Sequence, residues 1–154
     1  MKKSIAIVLY ITAVIGVIAL AWVIRWHALT TLNVDYDEDD YLRAGQEYAQ
    51  LMRAGDWRGF QDVNYRPEHP PLAKILVGIS IVNLPETVLI ADRPSTASPN
   101  VYLPRNQLKN GRIANAIFGT LTAGLLAVVD PAAGIMLAIH SFTVKYVSQI
   151  MLEA

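Results

Sequence analysis

Five carboxylates fall within six residues in the first third of this 154-residue chain: Asp35, Asp37, Glu38, Asp39 and Asp40. Residues of this type at this density suit three kinds of chemistry. Calcium binding is the first, because Asp35-x-Asp37-x-Asp39 matches the opening ligands of an EF-hand loop. The match fails further on: the sixth position is Asp40 where glycine is needed, and the twelfth is Gln46 where a bidentate glutamate is needed. Asp37 and Asp39 could instead hold a divalent metal as a DxD pair, a weak signal by itself. The third use is general base catalysis, in which one carboxylate takes a proton from an acceptor hydroxyl and a neighbouring acid raises its pKa. A plainer role competes with all three, since a solvated acidic run is favoured at any helix N-terminus by the helix dipole.

Composition bounds the setting of these groups. With 53% hydrophobic and 17% charged residues and a mean hydropathy of +0.32, the chain leans towards a bilayer. The lean is uneven, for nine of the thirteen acids lie between His27 and Pro70. There is no cysteine, so no disulfide framework or thiolate metal site exists. A formal net charge of zero argues against a nucleic-acid partner, which would require a basic face.

The elements that must carry the acidic stretch are apolar segments on either side of it. Ile5 to Ile24 contains no charge and spans about 30 Å as a helix, one membrane crossing within residues 1–26. A cleaved signal peptide ending near Ala19-Leu20-Ala21 is the rival reading, but the apolar run continues past it. Trp22, Arg25 and Trp26 suit the far interface. Residues 27–70 form a polar loop in which Tyr41, Ala44, Tyr48 and Met52 predict a juxtamembrane helix from Glu38, stopped by Gly55. Pro70-Pro71 opens a second apolar segment, 71–91, with Lys74 one turn in, able to snorkel to the headgroups. Asn83, Pro85 and Glu86 weaken this crossing. Residues 92–112 make a Pro- and Ser-rich connector, and 113–154 hold a third crossing, Ile113 to Val129, and a fourth, Ala132 to Leu152. Gly119, Ala123 and Gly124 offer a small face for close helix packing. Ser141, Lys145, Ser148 and Gln149 form a polar stripe on the fourth segment, whose partners are expected beyond Ala154. The connector carries four basic residues against one acid, and the 27–70 loop nine acids against four basics. The positive-inside rule then puts the N-terminus and the connector in the cytoplasm and the loop outside.

The order of these features resembles a family. Asp37-Glu38 after the first crossing, Tyr41, the Gly55-Asp56-Trp57 turn, Glu68-His69-Pro70-Pro71-Leu72-Ala73-Lys74, and Arg112 followed by Phe118-Gly119-Thr120-Leu121-Thr122 look like the protein O-mannosyltransferase and aminoarabinose-transferase group, of the glycosyltransferase 39 type. His140 to Glu153 is similar to the fourth-helix region of its prokaryotic members. The resemblance implies an all-α integral membrane protein with a GT-C-type bundle, of which this chain is the N-terminal part. It implies an inverting enzyme of a prokaryotic plasma membrane. A mannose-like sugar would pass from a polyprenyl-phosphate donor to a protein or lipid hydroxyl on the outer face, with no required cofactor. Asp37 would be the base and Glu38 its companion. His69 and Lys74, at the same membrane surface, are the candidates for binding the donor phosphate. Arg112 matches a family arginine but falls at the cytoplasmic end of the third crossing, which suits a structural or lipid-binding role. Asp39 and Asp40 are more acidic than the family pattern, which keeps a metal site at Asp37 and Asp39 open. Two alternatives stand beside the transferase: a membrane adaptor docking through its acidic loop, and a metal-dependent oligosaccharyltransferase-like site.

Overall fold

A computed structural model describes residues 2–63, 65–85, 88–90 and 103–151. Every regular element among them is helical: α1 (Lys2–Thr31), α2 (Glu38–Ala54), a single 3-10 turn (Gly59–Gln61), α3 (Pro71–Ile81), α4 (Arg105–Val129), α5 (Pro131–Ile139) and α6 (Ser141–Tyr146). Only α1, over Lys3–Thr31, and α4 are long and apolar enough to cross a membrane. They pack side by side and antiparallel. At one end the Tyr10 hydroxyl donates to the Val128 carbonyl, and at the other Arg112 reaches the Leu29 and Leu32 carbonyls. Small residues let the backbones approach: Val17 and Ala21 of α1 meet Ala123 and Ala127 of α4 and Ala138 of α5. At Gly124 an added Cβ would lie 2.8 Å from Ile18.

The second expected crossing, 71–91, holds only a short helix among the described residues. α3 has 11 residues, about 16 Å, too short for a bilayer, and it lies along α2. Two glycines make that crossing tight. A Cβ on Gly45 would sit 2.5 Å from Val77, and one on Gly78 would sit 2.9 Å from Tyr48. The apolar stripe of α2 is therefore buried against another helix, where Tyr41, Leu42, Ala49, Val77 and Ile81 join Ile90, Leu103, Ile150 and Met151 in one core. Arg53, in the last turn of α2, donates to the carbonyls of Ile81, Val82 and Leu84 and so satisfies the open C-terminus of α3.

The charge-derived reading set the basic connector on the membrane face away from the acidic loop. The chain leaves and rejoins the helix pair at one end, so residues 105–112 lie beside residues 29–38, and not on the opposite membrane face. Most of the expected connector, 91–102, lies outside the described residues.

The fourth expected crossing is broken. α5 stops at Ile139, His140 caps α6 by accepting the Thr143 N–H at 3.3 Å, and the chain is irregular from Val147. Part of the polar stripe of this segment finds partners within the chain: Lys145 pairs with Asp35 at 3.1 Å, and the Gln149 amide donates to the Asn33 carbonyl at 3.0 Å, while the buried Ser148 Oγ has no partner among the described residues. Arg25 is also turned inward from the expected interface. It is fully buried and donates to the Ala138 carbonyl near the C-terminus of α5.

Candidate functional site

The acidic stretch sits where α1 ends and α2 begins, and the structure divides its carboxylates between two jobs. Glu38 is 0% exposed. Its Oε1 accepts from Arg112 Nε at 2.8 Å and from the Ile150 N–H at 2.8 Å, and its Oε2 accepts from Arg112 Nη2 at 2.6 Å and from the Asp35 N–H at 2.9 Å. Four donors fill the acceptor capacity of a carboxylate. Glu38 is thus a structural hub joining α1, α2, α4 and the C-terminal segment. Arg112 completes the junction by donating to the Leu29, Leu32 and Asn33 carbonyls, which caps the C-terminus of α1.

Asp37 occupies the N-cap of α2 without a capping hydrogen bond from its side chain. It lines a polar cavity of about 230 Å³ together with Asp40, Tyr41, Arg66 and His69. Asp40 accepts from the Tyr65 hydroxyl at 2.7 Å and pairs with Arg66. That ion pair raises the Arg66 pKa, with the Asp40 hydrogen bond the largest cause. His69 meets Tyr41 edge to face, ring centroids 5.1 Å apart, and its Nε2 lies 3.8 Å from Glu68.

Lys74 does not face this cavity with its ammonium. The side chain is 3% exposed, and Nζ donates to the Tyr65 carbonyl at 3.1 Å and the Arg66 carbonyl at 2.6 Å. Burial pushes its pKa below the usual lysine value. The cation presented to the cavity is Arg66, whose φ of +53° is a left-handed backbone uncommon outside glycine. Lys74 holds the carbonyl of this very residue, so the lysine positions the loop that presents the arginine. Sequence reasoning missed Arg66; the signals at hand were a basic residue just before Pro67 and close to His69.

Asp39 is 2% exposed and does not line the cavity that Asp37 lines. Residues two apart on a helix do not face each other, which disfavours the DxD reading. No cluster of three or more His, Asp or Glu side chains suited to a metal ion is found among the described residues.

Comparison with protein-family models, with characterised proteins and with solved structures gave no match. The family resemblance therefore rests on the motif residues alone.

Proposed function

We propose that this chain carries the base-bearing part of an inverting glycosyltransferase of a prokaryotic cell membrane, with its N-terminus cytoplasmic and the 27–70 loop outside. The donor is a polyprenyl-phosphate-linked, mannose-like sugar, and the acceptor is a hydroxyl of a protein or lipid. Asp37 takes the hydroxyl proton as the acceptor oxygen attacks the sugar carbon, and the bond from that carbon to the phosphate oxygen breaks on the opposite face. The departing phosphate is met by Arg66 and His69, with Lys74 in a positioning role. The observation that carries this reading is the single cavity that brings a carboxylate, Asp37, together with Arg66 and His69, about 30 residues away in sequence. The same chain has two helices long and apolar enough to cross a membrane.

The adaptor reading is weaker because the acids it needs are engaged internally: Glu38 with Arg112, Asp40 with Arg66 and Asp35 with Lys145. The test is Asp37→Asn introduced in the native cells, with transfer of labelled sugar from polyprenyl phosphate measured in isolated membranes. Loss of transfer by about 100-fold or more, with the protein still inserted, is expected for a general base. Unchanged transfer sinks the proposal.

A further inference from the structure

A second cavity, of about 210 Å³, lies between the end of α1 and the first two turns of α4, lined by Leu29, Thr30, Arg105, Leu108, Lys109 and Arg112. We propose that it is a binding site for the headgroup of an anionic phospholipid, a site independent of glycosyl transfer.

The charges here conflict with their helix. Arg105, Lys109 and Arg112 fall at positions i, i+4 and i+7 on one face, within the first turns of a 25-residue helix whose N-terminus is already the positive end of its dipole. The first turn holds no acid. Arg112 is relieved by Glu38 and by backbone carbonyls, which engage all of its nitrogens. Arg105 and Lys109 are exposed, and no carboxylate of the described residues pairs with either. An anion in the cavity would resolve this conflict, with the helix N-terminus adding to the attraction.

The surroundings argue for a lipid as the source of the anion. The Lys109 ammonium lies 5.3 Å from the ring centroid of Trp26, which is 41% exposed and stacks with Trp22 at 5.7 Å. Both tryptophans belong to the helix whose exposed Ile15, Leu20 and Val23 face outward. Tryptophan beside an apolar helix surface marks the headgroup layer. Leu29 and Leu108 give the cavity an apolar wall, and two cations without a carboxylate partner among the described residues suit a phosphodiester oxygen pair.

The test uses the purified protein in detergent, with phosphatidylglycerol and phosphatidylcholine of equal chain length as probes. Retained lipid is read by native mass spectrometry and stability by thermal unfolding. Phosphatidylglycerol is expected to be retained in preference and to raise Tm. Arg105→Gln and Lys109→Gln are each expected to lower that retention about fivefold. Arg58→Gln, at another exposed arginine, is expected to leave it unchanged. Lys109→Leu keeps an apolar contact with Trp26 and removes only the charge, so it separates ligand binding from packing. Equal retention of the two lipids overturns the proposal. So does undiminished retention in the combined Arg105→Gln/Lys109→Gln variant, or an equal rise in Tm with inorganic phosphate, which would make the site one for free anions.

Discussion

Arg112 and Glu38, 74 residues apart in sequence, form a bidentate ion pair with N···O distances of 2.8 and 2.6 Å, and neither side chain is more than 5% exposed. The fork geometry and the two extra backbone donors on Glu38 are what make such a pair tolerable away from water. It fixes where α4 starts relative to α2.

Removing one partner of this pair leaves the other charged and buried. Glu38→Gln or Arg112→Met is expected to destabilise the protein by about 3–5 kcal/mol, measured by denaturation in detergent. The double variant Glu38→Gln/Arg112→Met is expected to recover part of that loss. Additive effects would show that the pair is not coupled.

The α2 and α3 crossing leaves no room for a methyl group at its centre. Gly78→Ala would bring a Cβ to 3.0 Å from the Gly45 carbonyl oxygen, a backbone atom that cannot turn aside. A loss of about 1–3 kcal/mol is expected, seen as a lowered Tm. Gly16→Ala, where an added Cβ meets nothing within 4 Å, is the matched control and is expected to change stability little.

Asp35 titrates with a sign that can be checked. Burial pushes its carboxyl up, but hydrogen bonds from Lys145 and the Tyr36 N–H, with the charge of Lys145, outweigh it and leave the pKa below 3.8. A depressed carboxylate stabilises fully above its unfolded pKa and loses that contribution as pH falls through the folded value. The difference in Tm between wild type and Asp35→Asn is therefore expected to be constant above about pH 5 and to shrink below 3.8. A difference that grows on acidification would contradict the pairing.

Lys74→Met removes the ammonium that holds the Tyr65 and Arg66 carbonyls, and the left-handed turn at Arg66 loses its restraint. Faster chymotryptic cleavage after Tyr65 is expected, with α-helical circular dichroism unchanged. Equal cleavage rates would remove Lys74 from its positioning role.

The parts of this fold that could be read in the sequence are those decided locally. The uncharged run from Ile5 marks α1, the stripe from Tyr41 to Met52 marks α2, and Gly55 ends it with a φ of +67° as the stop signal requires. Pro71 likewise opens α3. What misled was hydropathy, which cannot distinguish burial in lipid from burial against protein. Val77 and Ile81 of this segment are buried against α2, where Gly45 and Gly78 allow the close approach, whereas Leu72 and Ile79 stay exposed. The acidic cluster and the resemblance pointed to Asp37 and Glu38 together, but not to the separation by which Asp37 lines the cavity and Glu38 is drawn away from it. That separation is made by Arg112 and Ile150, more than 70 residues away. Likewise, the break at His140 depends on a cap whose components look unremarkable in an apolar stretch.

The return of the chain to one end of the α1 and α4 pair also changes the electric field that a ligand meets. Acidic residues 35–40 and basic residues 105–112, expected on opposite sides of a membrane, share one rim, where much of their far field cancels. Beyond about 10 Å at ordinary ionic strength, an approaching ion would sense a nearly neutral surface. Capture at either cavity should then depend on short-range fit and lateral diffusion within the membrane, and the encounter rate should vary little with salt.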